Sequence, residues 1–216
     1  SDYIAGDNGD FIEPSDTEYP YAQAPQKTTA TKGLVTWSRT KVLGSANQYL
    51  GTVIIYDDKG RAIQTYSQNI SGGIDIITTQ YSWAGLPLVV IHKQDIAGFQ
   101  AQTTVTFTKM SYDDLGRLLT TEKKIQNTLV NGGVMSAYKT ISQNEYNALG
   151  QLKQKVLAPA YDDDDNEEGD GLETLVYDYN IRGWLLGVNR DYARETVDKN
   201  YFGFDLGYDK LNNQLI

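Results

Sequence analysis

The sequence holds no cysteine, a single histidine, five prolines and two methionines in 216 residues. Absence of cysteine excludes disulfides, thiolate metal sites and cysteine nucleophiles. With His92 as the only imidazole, a zinc centre built from nitrogen ligands has too few donors. A Ser-His-Asp triad would have to use His92, which follows Val89-Val90-Ile91 inside an expected strand, so a surface or edge histidine is the simpler reading. Basic residues are also sparse: 19 Lys and Arg stand against 28 Asp and Glu, for a net charge of −9, and no basic run exceeds Lys123-Lys124. Binding to a phosphate backbone needs clustered cations, so nucleic acid is not an expected partner. No apolar run approaches the roughly 20 residues of a membrane helix, so no membrane span is expected. No signal segment is visible at the N-terminus.

Tyrosine and glycine are abundant, with 16 Tyr and 20 Gly against 5 Phe and 3 Trp. This composition suits strands and tight turns. Residues 1–31, with Pro14, Pro20 and Pro25 and few β-branched apolar residues, read as an extended or partly disordered lead segment. From residue 32 to 216, short runs rich in Val, Ile, Thr and Tyr alternate with glycine turns. Strands are expected over Leu34–Leu43, Thr52–Tyr56, Ile74–Tyr81, Thr103–Tyr112 and Arg117–Ile125. The apolar phase slips after Phe107, which predicts a bulge or strong twist there. No segment carries a helical apolar stripe. The expected fold is all-β: tandem antiparallel hairpins in one long, twisted and curved sheet.

The chain repeats itself. Tyr56-Asp57-Asp58-Lys59-Gly60-Arg61-Ala62 matches Tyr112-Asp113-Asp114-Leu115-Gly116-Arg117-Leu118. The same frame, Tyr-x-x-x-Gly-x-apolar, returns at Tyr146 with Gly150 and at Tyr179 with Gly183, and more weakly at Tyr81 with Gly85; a sixth unit opens at Tyr208-Asp209. An Asp or Asn, two free residues and a Gly form a type I turn closed by a left-handed glycine, the three-residue hairpin with a G1 bulge. In this register Asp57 faces Arg61 and Asp113 faces Arg117. Tyr56, Tyr112, Tyr146 and Tyr179 face Ala62, Leu118, Leu152 and Leu185. The charged pair is expected on one face of the sheet and the aromatic–aliphatic pair on the other. Isolated hairpins are unstable in water, so stability must come from neighbouring units.

Copies Tyr56–Ala62 and Tyr112–Leu118 resemble the RHS (YD) repeat, whose signature is Tyr-Asp-x-x-Gly-Arg-Leu. The stretch Tyr179–Leu185, followed by Phe202–Asp209, is similar to RHS proteins of the Bacteroidetes type. Gln151 and Trp184 replace the signature Arg, and Leu86-Pro87 replaces Arg-Leu. The resemblance implies part of a β-shell on an extracellular or cell-surface protein. Because the repeat carries no unique chemical constellation, no catalysis and no cofactor are expected. Expected partners are further repeats or a C-terminal effector domain of a longer chain, and the open sheet edges imply edge-strand self-association.

Other candidate chemistry is weaker. In the acidic loop at 161–171, Asp162, Asp164, Asn166, Asp170 and Glu173 match the first, third, fifth, ninth and twelfth positions of a calcium loop. Glu167 stands where such a loop needs glycine, and no helices flank it, so a solvated insertion is the preferred reading. The pairs Asp57/Asp58 and Asp113/Asp114 recur with the repeat, unlike a glycosidase acid–base pair, which is unique. Trp37, Trp83 and Trp184 offer rings for sugar stacking, which makes a surface glycan- or protein-binding β module the alternative function.

Overall fold

The computed structural model describes residues 26–159, 171–194 and 200–208. Residues 1–25 of the lead segment, residues 161–170 of the acidic loop and Asp209 of the sixth unit lie outside these. The chain is all-β. Its strands are β1 (Trp37–Lys41), β2 (Tyr49–Tyr56), β3 (Ala62–Gln68), β4 (Ile74–Tyr81), β5 (Pro87–Ile96) and β6 (Gln102–Tyr112). They continue as β7 (Leu118–Asn127), β8 (Lys139–Tyr146), β9 (Leu152–Leu157), β10 (Glu173–Tyr179), β11 (Leu185–Val188) and β12 (Phe204–Asp205), with a 3-10 turn at Asn131–Gly133 and an α-helical turn, α1 (Arg190–Ala193). All twelve belong to one antiparallel sheet whose order is the chain order, β1 to β12. Among the described residues no helix is long and apolar enough to cross a membrane.

Chain contacts divide the molecule into two compact units, Ser1–Met110 with Lys123–Tyr138, and Ser111–Glu122 with Lys139–Ile216. In the first, period-2 alternation directs one residue set to a single face. Val53 pairs with Tyr66 and Tyr66 with Ile76; Ile55 pairs with Gln64, Gln64 with Thr78, Thr78 with Ile91 and Ile91 with Phe107. Ile55, Ile63 and Tyr66 form the buried core, with Val53, Ile74, Ile76 and Tyr81 packed against them. Gln64 and Thr78 share this buried face and satisfy each other: Gln64 Nε2 donates to Thr78 Oγ1 at 2.8 Å, and the Tyr66 hydroxyl donates to Gln64 Oε1 at 2.8 Å. Buried polar groups so paired avoid the desolvation cost of unpaired ones.

Against β5, no bulge follows Phe107. β6 pairs with β5 without a break from Gln102 to Lys109. The sequence phase slips because Lys109 takes a position on the buried-facing side, where its ammonium lies 5.5 Å from the Tyr138 ring centre, so the stem packs like an apolar side chain. The irregularities lie instead beside the repeat tyrosines. Register shifts separate Ile55 from Tyr56, Gln80 from Tyr81, Glu145 from Tyr146 and Asp178 from Tyr179. In the first, Ile55 pairs with Gln64 but Tyr56 with Ala62, so Ile63 is the extra residue. The bulge lets Ile63 and Gln64, neighbours in sequence, both reach the buried interior at 2 % exposure.

The second unit contains β8 to β12 and the Tyr112 turn. Its C-terminal end is organised by buried polar groups. Asn189, left-handed at φ 44°, accepts the Val176 N–H at its Oδ1 (2.8 Å) and donates its own N–H to the Val176 carbonyl (2.9 Å), closing the end of β10 against β11. Arg190 and Arg194 then clamp Asp205 of β12, through Arg190 Nε at 2.7 Å and Arg194 Nη2 at 2.8 Å.

Candidate functional site

The repeated Tyr turn is the feature from which any function must be built. At each copy the main chain follows the expected hairpin. The Gly60 N–H donates to the Asp57 carbonyl (3.1 Å) and the Asp57 N–H to the Arg61 carbonyl (3.0 Å). The same two bonds form at Ser82/Gly85/Leu86, Asp113/Gly116/Arg117, Asn147/Gly150/Gln151 and Asn180/Gly183/Trp184. Gly60, Gly85, Gly116, Gly150 and Gly183 all have φ between 72° and 88°, where an L side chain is strained. The Asp or Asn side chain fixes the turn from inside. Asp57 Oδ1 accepts the N–H groups of Lys59 and Arg61, and Oδ2 accepts Arg61 Nε at 2.7 Å. Asp113 repeats this with Leu115 and Arg117. The Arg117 N–H is the main cause that lowers the Asp113 pKa from its ordinary 3.8; burial opposes it, and the Arg117 guanidinium and Leu115 N–H add to it.

Four of the tyrosines fasten their unit to the one before. The Tyr81 hydroxyl donates to the Ala62 carbonyl (3.1 Å), Tyr146 to Leu118 (2.9 Å), Tyr179 to Leu152 (2.9 Å) and Tyr208 to Leu185 (2.8 Å). Tyr56 reaches Val35 in the same way. For these four the acceptor is the first residue of the strand after the preceding turn, so at Ala62, Leu152 and Leu185 the phenol closes the mouth of a strand pair where the bulge has broken the ladder. Burial raises the Tyr179 pKa above its ordinary 10.0, with Tyr177 adding to the shift, so the phenol keeps the proton it donates.

The arginines point forward. Arg61 lies 4.8 Å from the Tyr81 ring centre and donates to the Ser82 carbonyl (3.1 Å); Arg117 lies 4.7 Å from the Tyr146 ring centre. Within the first unit Tyr56 pairs with Ala62 and Asp57 with Arg61, as expected, but between units charge meets ring. The guanidinium sits on the next unit's ring because a cation over a π face and the second lone pair of the Ser82 carbonyl, which also accepts the Gly85 N–H, are both within its reach.

The divergent copies keep this logic with other chemistry. At the Tyr146 turn the Asp/Arg pair becomes two amides: Asn147 Oδ1 accepts the Leu149 and Gln151 N–H groups, and Asn147 Nδ2 donates to Gln151 Oε1 (2.8 Å). At the Tyr179 turn, Trp184 packs against Tyr208 with the rings tilted by 55° and their centres 5.4 Å apart, in the position that Arg117 takes towards Tyr146. At the Tyr81 turn, Ser82 Oγ accepts the Leu86 N–H. Turn chemistry also recurs without a tyrosine, at Asn69, whose Oδ1 accepts the Ser71 and Gly73 N–H groups and whose carbonyl accepts the Gly72 N–H. The Asn-x-x-Gly spacing in Asn69–Gly72 was the signal for it.

The remaining candidates are dispersed. His92 lies mid-strand in β5 between Ile77 and Thr106, and among the described residues its ring makes no hydrogen bond. Asp58 and Asp114 are exposed at turn tips while Asp57 and Asp113 hold the turns, so the paired carboxylates divide between two tasks. The tryptophans sit on separate elements, each beside a cation: Arg39 at Trp37, Lys59 at Trp83 (3.8 Å) and Arg182 at Trp184. Asp162, Asp164, Asn166 and Asp170 lie outside the described residues. Glu173, their proposed companion, is buried and accepts Asn189 Nδ2, Asn200 Nδ2 and the Tyr201 N–H, which directs its oxygens into the fold. Beside it lies an open apolar cleft of about 390 Å³ lined by Leu157, Leu172, Leu175, Tyr201 and Phe202. Among the described residues no three His, Asp or Glu side chains converge in a metal-binding cluster.

No family model matches the chain, and no curated protein matches it in sequence.

Proposed function

We propose that this chain is a non-catalytic structural module, a β-strip of an exported or cell-surface RHS-type repeat protein. One observation carries this reading. The repeat's signature side chains are spent on the chain itself: Asp and Gly on the turn, Tyr on the preceding unit, Arg on the following one. A sequence that repeats its joints rather than a reactive group is built to extend a surface, as a shell around an effector requires. Such a module adds units by nearest-neighbour contacts. Two measurements test the reading. Protease added to intact source cells, or assay of their medium, is expected to find the chain outside; retention inside the cell would overturn the exported role. A turnover abolished by one substitution away from the turns would overturn the non-catalytic one.

Recognition of a surface partner is the second reading, favoured by the turn tips. Trp83 (77 % exposed), Leu115 (77 %), Leu149 (84 %) and Ile181 hold apolar side chains in solvent on rigid turns. Binding on a glycan array that is lost in Trp83→Ala would support a glycan partner, and no binding in the parent would remove it.

A further inference from the structure

We infer that Asn131 is a site of spontaneous deamidation, with the Gly132 nitrogen as its nucleophile and Gln126 as the lock that restrains it. Asn131 and Gly132 are exposed at the tip of the connection between β7 and β8. Both have positive φ (48° and 62°), and the Gly133 N–H donates to the Val130 carbonyl at 3.0 Å, the geometry of an Asn-Gly type I′ turn. Among the described residues the Asn131 side chain makes no hydrogen bond and the Gly132 N–H has no acceptor. The amides of Asn69, Asn127, Asn147 and Asn180 are by contrast all engaged. Space around Gly132 is open, with no heavy atom within 4 Å of a Cβ built there. Asparagine is a thermolabile residue. Here the electrophile and the nucleophile are adjacent, carry among the described residues no hydrogen bond of their own and have open space around them.

The reaction balances without a cofactor. The Gly132 nitrogen attacks Asn131 Cγ, forming an N–Cγ bond; the Cγ–Nδ2 bond breaks, and ammonia leaves with the proton from the Gly132 N–H. Water then opens the five-membered succinimide. Opening at Cγ leaves an aspartate in place of the asparagine, and opening at the main-chain carbonyl gives isoaspartate with one extra methylene in the backbone. Attack requires Asn131 to rotate out of the turn. Gln126 Nε2, which donates to the Gly133 carbonyl at 2.6 Å, opposes that local opening.

The test incubates the whole folded chain in mildly alkaline buffer beside a synthetic peptide spanning Leu129–Met135, with peptide mapping by mass spectrometry. The Asn131 fragment is expected to gain one mass unit and to separate into two isomeric products, while the Asn69 fragment stays unchanged. Gly132→Ala is expected to slow the conversion several-fold, and Gln126→Ala to speed it several-fold. An Asn131 fragment still intact after the free peptide has converted would overturn the inference, as would a rate unchanged in Gly132→Ala. A rate unchanged in Gln126→Ala would overturn the role given to the lock.

Discussion

The hydroxyl of Tyr146 donates to the main-chain carbonyl of Leu118 at 2.9 Å, while the guanidinium of Arg117 lies 4.7 Å from the centre of the same ring. One side chain thus answers two consecutive residues of the preceding unit. Tyr146→Phe keeps the ring and removes only the hydroxyl. It is expected to cost about 1 kcal/mol in urea unfolding. Tyr146→Ala also removes the ring beneath Arg117 and is expected to cost more. Equal losses in the two variants would show that the hydroxyl carries the whole effect.

Asn147 and Gln151 stand where Asp113 and Arg117 stand one unit earlier. Asn147→Asp alone places a carboxylate without its cation, and Gln151→Arg alone a cation without its carboxylate. The double substitution restores the pair. It is expected to be more stable than the sum of the single changes by roughly 0.5–3 kcal/mol in a double-mutant cycle. Simple additivity would contradict the pairing.

Two glycines separate backbone strain from steric clash. Gly60 has φ 72° and open space around it, so Gly60→Ala carries only the left-handed penalty, roughly 1–2 kcal/mol. At Gly73 a Cβ would meet the Asp95 carbonyl oxygen at 1.8 Å, so Gly73→Ala must displace backbone. Thermal melts of the two variants are expected to rank Gly73→Ala as the more damaging.

Acid acts through Asp113 and Asp205. Both have pKa values below the ordinary 3.8. At Asp205 burial acts upward, and the hydrogen bonds from Arg194 and Arg190 outweigh it. The unfolded chain therefore takes up these protons first. The stability they contribute is complete above 3.8 and is lost as the pH falls through the folded-state values. Asp205→Asn is expected to weaken the acid dependence of the urea midpoint; a dependence identical to the parent's would exclude that clamp.

Alkali acts in the opposite sense on Tyr177 and Tyr179, both raised above 10.0 by burial. Folded, they hold their protons longer than the unfolded chain does. Their contribution is complete below 10.0 and is lost as the pH rises through the folded values. Ultraviolet titration is expected to show late-ionising phenols, fewer of them in Tyr179→Phe.

Much of the fold was legible in the sequence because turns are written in residue types. Gly60, Gly116, Gly150 and Gly183 announced left-handed positions, and Asp57 opposite Arg61 followed from counting. The bulges beside Tyr56, Tyr81, Tyr146 and Tyr179 were not legible, since any residue serves as the extra one: Ile63 is indistinguishable from an ordinary strand isoleucine. The tyrosine clasps were equally hidden, because their acceptors are main-chain carbonyls and a carbonyl has no sequence. Glu173 read as part of an acidic loop from its neighbours in sequence, yet its partners, Asn189 and Asn200, come from beyond β11.

The clasps also set how the C-terminal strands meet mechanical load. An antiparallel meander pulled at its end peels like a zipper, one hydrogen bond at a time. Tension entering at Tyr208 meets its bond to Leu185 before it reaches the β11–β12 ladder. Once β12 has peeled, the pull passes to the opposite end, where Asn189 holds Val176 by two bonds. These two strand pairs thus carry their fasteners at the end where force arrives first, so the C-terminal strands are expected to yield in discrete steps rather than unravel smoothly.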